Sequence, residues 1–376
     1  MRENEKFDRL DRNLCQRLYK KELYDSLFDP TKLQNLKFGS KFYASQLFEL
    51  ECFVDELQSN DETPFVQCFG NGGRKEYAHA SLASQYFGLM PDFIDVVNML
   101  SPRYDYNERV NAFITGCRSM GLLSERLKWN NIYVDPKITY PRFDGASAAE
   151  IFNTLVKNIR SEWKKKNIQA KVNARKKDAI ERHVAYSKYV DSLYDDGCAS
   201  LMVLRINLGY KEQSANSINI LDIRKDLNHL FEYKHSNSIF DFMKGYIAKL
   251  KYDVDKGIYW HVLFFFDGSK RNNSSHIHSA ENIGEYWETT ITKGRGDYWK
   301  INDNAYHYDA GRRGIWVINL SDAELRKNLK EFVVGDLCKV DQFIKPKLGK
   351  RVKLIRRGNF PKKIVKKRGR PRKQVA

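Results

Sequence analysis

Apolar positions recur along this chain at two spacings, and the change from one to the other divides it. Over residues 1–147 they recur every three to four positions, the period of a helix buried on one side. Phe7, Leu10, Leu14 and Leu18 form one stripe, continued one position over by Tyr19, Leu23 and Leu27 until Asp29-Pro30 stops it. QLFELECFVDEL repeats the pattern, and PDFIDVVNMLS and SPRYDYNERVNAFITGCRSMGLL add further helices. The stretch FGNGGRKEY has neither the spacing of a phosphate loop nor a strand before it, so it reads as a flexible surface turn. Residues 1–147 are expected to be a helical accessory domain.

A boundary follows at TYPRFDGAS, where Ser147 has Glu150 three residues on, the signature of a capping box. Ile151, Phe152, Leu155, Val156, Ile159 and Trp163 then give a helical stripe that runs into EWKKKNIQAKVNARKKDAIERH. Residues 148–197 read as a basic linking helix. Its Lys164, Lys165 and Lys166 belong either to a solvated face or to an arm lying along a phosphate backbone.

Beyond residue 198 the period shortens to two. CASLMVLRINLGY puts Met202, Leu204, Ile206 and Leu208 on one side of a strand, and residues 217–250 read as helix with a break near 235–237. IYWHVLFFFDG, residues 258–268, is apolar throughout except for one histidine before its Asp-Gly turn. Because strand side chains alternate, Tyr259, His261, Leu263 and Phe265 share one face, and Trp260, Val262, Phe264 and Phe266 the other. Apolar residues on both faces place this strand inside a sheet. A histidine there is either a satisfied core residue or one turned toward a site. A helix over 279–290, an aromatic and basic loop KGRGDYWKINDNAYHY, a strand over 315–320 and a last helix starting at Ser321 complete the order. The fold class is α+β, helices packed on one face of one sheet.

Composition then narrows the partner. The 376 residues carry 42% hydrophobic and 30% charged residues, so the chain is globular, and its net charge is +18. No apolar run approaches the ~20 residues of a membrane span, the charged N-terminus has no apolar signal core, and the six cysteines lie far apart. These features point to a reduced, cytoplasmic protein with no membrane partner. From Lys345 onward there are fifteen Lys/Arg and no acid, a tail expected to stay disordered until it binds. It ends in KKRGRPRK, whose Arg368, Gly369, Arg370 and Pro371 match the core of an AT-hook. Glycine lets the backbone approach the groove floor, and the two arginines suit the negative potential of a narrow A·T minor groove. The other reading is a generic basic tail; both meet nucleic acid.

Residues 198–343 resemble the YagK/YfjJ C-terminal domain family of prophages and inovirus-like elements, which is related to rolling-circle replication initiators of the HUH endonuclease type. The resemblance rests on LMVLRINLGY, GIYWHVLFFFDGSKR, NIGEYWETTITKGRGDYWKIND and VVGDLCKVDQFI, in that order. It implies an HUH/RRM-like sheet, a Mg²⁺ or Mn²⁺ ion held by two histidines two apart on the central strand, and a tyrosine that attacks the scissile phosphate. His261 matches the second histidine, but Tyr259 occupies the first position. Asp336 stands where the family usually has its nucleophilic tyrosine, with Lys339 following, and Asn207 replaces a usual aspartate. His276 and His278 form a literal H-x-H, but in a polar stretch that reads as an exposed loop. Tyr259 could serve as a replacement nucleophile, while Tyr286, Tyr298 and Tyr306 offer core packing or base stacking. The resemblance thus implies a DNA-binding, initiator-like protein with a degenerate nicking site. Arg295 and the basic segments would contact single-stranded or hairpin origin DNA, and host replication proteins would be partners. An active nicking-joining endonuclease and a silent DNA-binding regulator are the alternatives.

Overall fold

The structure is a computed structural model that describes residues 9–19, 40–123, 135–195, 197–215, 217–253, 256–271, 276–300, 313–349 and 352–361. The chain divides into two compact units, 1–180 with 339–347, and 181–338 with 348–376.

The first unit is mainly helical: α1 (Arg12–Leu18), α2 (Ser40–Ser59), α3 (Ser81–Tyr86), α4 (Met90–Met99), α5 (Glu108–Ser119) and α6 (Ala148–Lys165), followed by α7 (Ile168–Ser192), inside which the unit boundary falls. Phe53 of α2 lies at its centre, fully buried, with the rings of Tyr86, Phe93, Phe113 and Phe152 around it. One buried ion pair crosses this core. Asp55 Oδ1 accepts from Arg109 Nε at 3.0 Å and Nη2 at 2.7 Å. The capping box is present as expected: Ser147 Oγ accepts from the Glu150 N–H, and Glu150 Oε2 accepts from the Ser147 N–H at 2.8 Å. The glycine-rich stretch differs from its reading. Its flanks are strands, β1 (Phe65–Phe69) and β2 (Lys75–His79), closed by the turn at Gly70–Gly73. The sequence hides them because only Phe65 is buried, so the hairpin has no apolar alternation to display. Short strands β3 (Tyr104–Tyr106), β4 (Thr139–Tyr140) and β5 (Ala146–Ser147) complete the unit up to α7.

In the second unit β6 (Ser200–Tyr210) is followed by a short helix α8 (Glu212–Ala215), then α9 (Ile220–Glu232), β7 (Met243–Asp253), β8 (Gly257–Asp267), α10 (His276–Tyr286), β9 (Gly296–Lys300) and β10 (Trp316–Asn319). After α11 (Ala323–Asn328) and α12 (Gly335–Lys339), β11 (Ile344–Pro346) pairs with β3 in the first unit, and β12 (Ile355–Arg357) belongs to the second. The sheet order is β10-β6-β8-β7-β12, every pair antiparallel, with β9 beside the other half of β6. The connection is thus β–α–β–β–α–β, with β8 inserted between the parallel strands β6 and β7, a split βαβ arrangement.

Four expectations change here. Residues 243–250 are strand and not helix: Tyr246, Ala248 and Leu250 alternate into one core, a period of two that the 217–232 helical stripe masked. Helices cover both faces of the sheet. One core joins Leu204, Ile206, Trp260, Phe264 and neighbours to α9 and α10. The other joins Val203, Ile247, Leu263 and Phe265 to Tyr189 of α7, to Leu193 just after it, and to Leu329, Val333 and Leu337. His276 and His278 begin α10, so they are helical, although His278 is largely exposed. Finally, part of the basic tail is ordered. The edge of β7 offers unsatisfied backbone groups, and β12 takes them while Ile355 joins the second core. Among the described residues no helix is long and apolar enough to cross a membrane.

Candidate nucleic-acid site on the central strand

His261 lies in the middle of β8, the central strand of the sheet, directly opposite Asn207 of β6 and Lys249 of β7. It is 1% exposed, as is Lys249, and Arg205 is 5% exposed. All four residues fall on the face that carries Leu263 and Phe265, whereas Trp260, Val262, Phe264 and Phe266 fill the opposite core. The alternation expected for β8 is therefore present.

Two hydrogen bonds define the imidazole. Arg205 Nε donates to His261 Nε2 at 2.7 Å, and His261 Nδ1 lies 2.6 Å from Asn207 Oδ1. A guanidinium can only donate, so Nε2 carries its lone pair and Nδ1 carries the hydrogen. The Nδ1–H then donates to the Asn207 side-chain oxygen. The ring is a neutral histidine with both nitrogens engaged.

This donor set does not fit a divalent cation. Binding one through Nε2 would require displacing Arg205, and the guanidinium and Lys249 ammonium would repel it. Asn207 Oδ1 is already accepting, and a neutral phenol at Tyr259 is a poor ligand for Mg²⁺ or Mn²⁺. The cluster suits an anion better than a cation.

Toward the N-terminal end of β8, the face opens into a half-buried aromatic pair. Tyr259 and Trp299 of β9 meet edge to face with centroids 6.2 Å apart, and Lys256 Nζ lies 4.7 Å above the Trp299 ring. Gly209 makes this approach feasible. A Cβ there would lie 2.8 Å from Trp299 and 3.2 Å from the Tyr259 Cβ. Tyr259 is thus placed beside aromatic and cationic partners.

The remaining sequence candidates separate. Asp336 is 3% exposed in α12, in the segment that covers the His261 side of the sheet through Val333, Val334 and Leu337. A π-helical stretch, Leu329–Val334, precedes it. Lys339, partly buried, closes the same short helix. Arg295 sits on the opposite side of the sheet, where its Nη2 is 3.5 Å from Asp226, whose carboxylate also accepts from the Tyr210 hydroxyl at 2.6 Å. Burial, with that bond, pushes the Tyr210 phenol well above its ordinary range. Lys164, Lys165 and Lys166 are exposed at the end of α6, in the first unit, and Lys166 pairs with Glu162 at 2.6 Å. Arg368, Gly369, Arg370 and Pro371 lie outside the described residues.

No family model, no curated protein and no solved structure matches this chain. Its site must be read from its own geometry.

Three members of that site escaped the sequence reading: Arg205, Lys249 and Trp299. The first two had a signal, a lone cation inside the apolar runs LMVLRINL and YIAKL. A buried cation is rare unless the structure supplies partners or a task. Trp299 had none, because it joins Tyr259 only through the pairing of β9 with β6.

Proposed function

We propose that this chain is a DNA-binding protein of the replication-initiator type in which the metal position of the central strand has become a fixed-cation position. The observation that carries the reading is the bond from Arg205 to His261 Nε2, made on the middle strand of a split βαβ sheet. The connection order and the strand order support an HUH/RRM-like core, since the single histidine lies on the strand where such a core holds its metal. Arg205, Lys249 and Lys251 supply positive charge, and Tyr259, Trp299 and Lys256 supply a stacking surface beside it. Phosphates meet the partly exposed Lys251 and the exposed Lys256, with the buried Arg205 and Lys249 setting the charge behind them, and an unstacked base meets the rings.

Cleavage is not part of this reading. A carboxylate at Asp336 cannot replace tyrosine as the source of a stable phosphodiester adduct, and the donors around His261 do not fit a metal that would polarise the phosphate. The tail of the chain would add contacts to A·T-rich duplex in the bacterial cytoplasm, with host replication proteins recruited on the bound DNA.

The test is incubation of the full chain with labelled single-stranded and supercoiled DNA, with Mn²⁺ or with chelator. Expected is salt-sensitive binding of equal strength in both, with no nick and no covalent adduct. A Mn²⁺-dependent nick that His261→Ala abolishes would overturn the proposal and favour the endonuclease. Binding that is insensitive to salt and to Arg205→Met would remove the DNA reading itself.

A further inference from the structure

A groove lined by basic side chains lies wholly within the first unit. Helix α6 and the segment 60–64 enclose an open groove of about 540 Å³, lined by Thr63, Pro64, Asn153, Lys157, Arg160 and Lys164, among others. Its walls are fixed. Asn153 accepts from the Phe65 N–H at 3.0 Å and donates to the Phe65 carbonyl at 2.8 Å. Arg160 donates to the carbonyls of Leu57 at 3.1 Å and Glu62 at 3.0 Å, and to that of Asn60, so its charge sits at the C-terminal end of α2.

The two lysines differ from Arg160. Lys157 and Lys164 are exposed, and their side chains make no ion pair or hydrogen bond among the described residues. Seven residues apart on one helix, they stand ~10.5 Å from each other along its axis and face the same way. Hydroxyls of Thr154 and Ser161 lie along the same lining. Asp61 and Glu62 on the facing segment act on the charge of Arg160. The Glu62 carboxylate is turned to Ser81 Oγ at 2.8 Å and Asn60 at 3.2 Å.

From the groove's edge rises the β1–β2 hairpin. Phe65, held by Asn153, begins β1, and Phe69 ends it ~13 Å further along the strand. Phe69 is 72% exposed, opposite Lys75 and next to the turn that carries Arg74. A hairpin solvated on both sides gains little by exposing a phenylalanine, so the ring is available to a partner.

We infer that this groove takes successive phosphates of a single-stranded nucleic acid on Lys157 and Lys164, with Phe69 stacking on a base a few nucleotides along. The ligand class rests on the proposed DNA-binding function, and the interface is separate from the central strand.

The experiment uses the full chain and a fluorescent oligothymidine, with a duplex of equal length alongside, and reads anisotropy over a range of salt. Lys157→Ala with Lys164→Ala should weaken oligothymidine binding roughly tenfold and lower the salt slope by about 1.4, the value for two lost single-strand phosphate contacts. The charge-matched control, Lys225→Ala with Lys327→Ala, removes two exposed lysines outside the groove and should change both far less. Phe69→Ala should weaken single-strand binding roughly five- to hundredfold, the worth of one stacked base, and leave duplex binding unchanged. If the wild type binds and the groove pair behaves like the control, the groove is wrong and the central-strand proposal stands. If Phe69→Ala affects both ligands alike, the stacking role is wrong. If the wild type binds neither ligand, the DNA reading fails and the groove fails with it.

Discussion

Strand β8 buries both its faces, yet the two faces have different fates. Trp260, Val262, Phe264 and Phe266 lie in an apolar core against α9 and α10, and the one polar atom of these four side chains, Trp260 Nε1, donates to the Ile223 carbonyl at 3.0 Å. On the other face Phe265 and Leu263 begin as core, then His261 turns polar while still buried, and Tyr259 is half-open. One face holds the sheet together. The other gives up apolar burial for a row of cations and rings, which an unaided fold has no reason to prefer.

The largest expected effect breaks the apolar side. Phe264→Ala should cost ~3–5 kcal/mol of unfolding free energy by denaturant titration, since it leaves a cavity between the sheet and α9. Its remaining folded fraction should bind DNA as the wild type does. Loss of affinity in that folded fraction would mean that the two faces are not independent.

Buried polar groups that serve only the fold sharpen the contrast, and Glu51 is the clearest. It is fully buried in α2, bonded to the Tyr19 hydroxyl, and burial pushes its carboxyl up to about 7. A carboxyl raised in the folded state favours the protonated form. Its stabilising contribution is complete below the ordinary carboxyl range and is lost as pH rises through about 7. Glu51→Gln should flatten the stability profile between about pH 4.5 and 7, an effect on the order of a few kcal/mol above neutrality, and leave DNA binding unchanged. A profile still as steep in the variant would assign the dependence to another group.

His261→Ala tests the polar face. It removes the acceptor of the Arg205 Nε–H, at a cost of ~1–3 kcal/mol in stability, and should weaken DNA binding as well. A stability loss with unchanged affinity would reduce the residue to a satisfied core histidine. The smallest effect is expected at the α6 cap. Ser147→Ala should cost ~1 kcal/mol by thermal or denaturant unfolding and nothing in affinity for duplex DNA.

Much of the fold was legible because periodicity reports burial. The alternation in β6 and β8 and the capping box at Ser147 all follow from local pattern. The failures also have physical causes. Strand β7 reads as helix because its alternation follows closely on an amphipathic helix, and the β1–β2 hairpin shows no alternation because water covers most of it. Strand β12 could not be read from a basic tail, because the edge of β7 supplies what its own sequence lacks. At the site, His261 was visible as the one polar residue in an apolar run. Of its partners only Asn207 was singled out, through the resemblance; Arg205, Lys249 and Trp299 were not, since they join the site only through strand register.

The most direct test of the fixed-cation position is NMR on the full chain with labelled histidine. If Arg205 holds Nε2, the His261 ring gives the shifts of a neutral Nδ1–H tautomer, and stoichiometric Mn²⁺ leaves its signals sharp. Selective broadening of the His261 ring by Mn²⁺, or an Nε2–H tautomer, would contradict it.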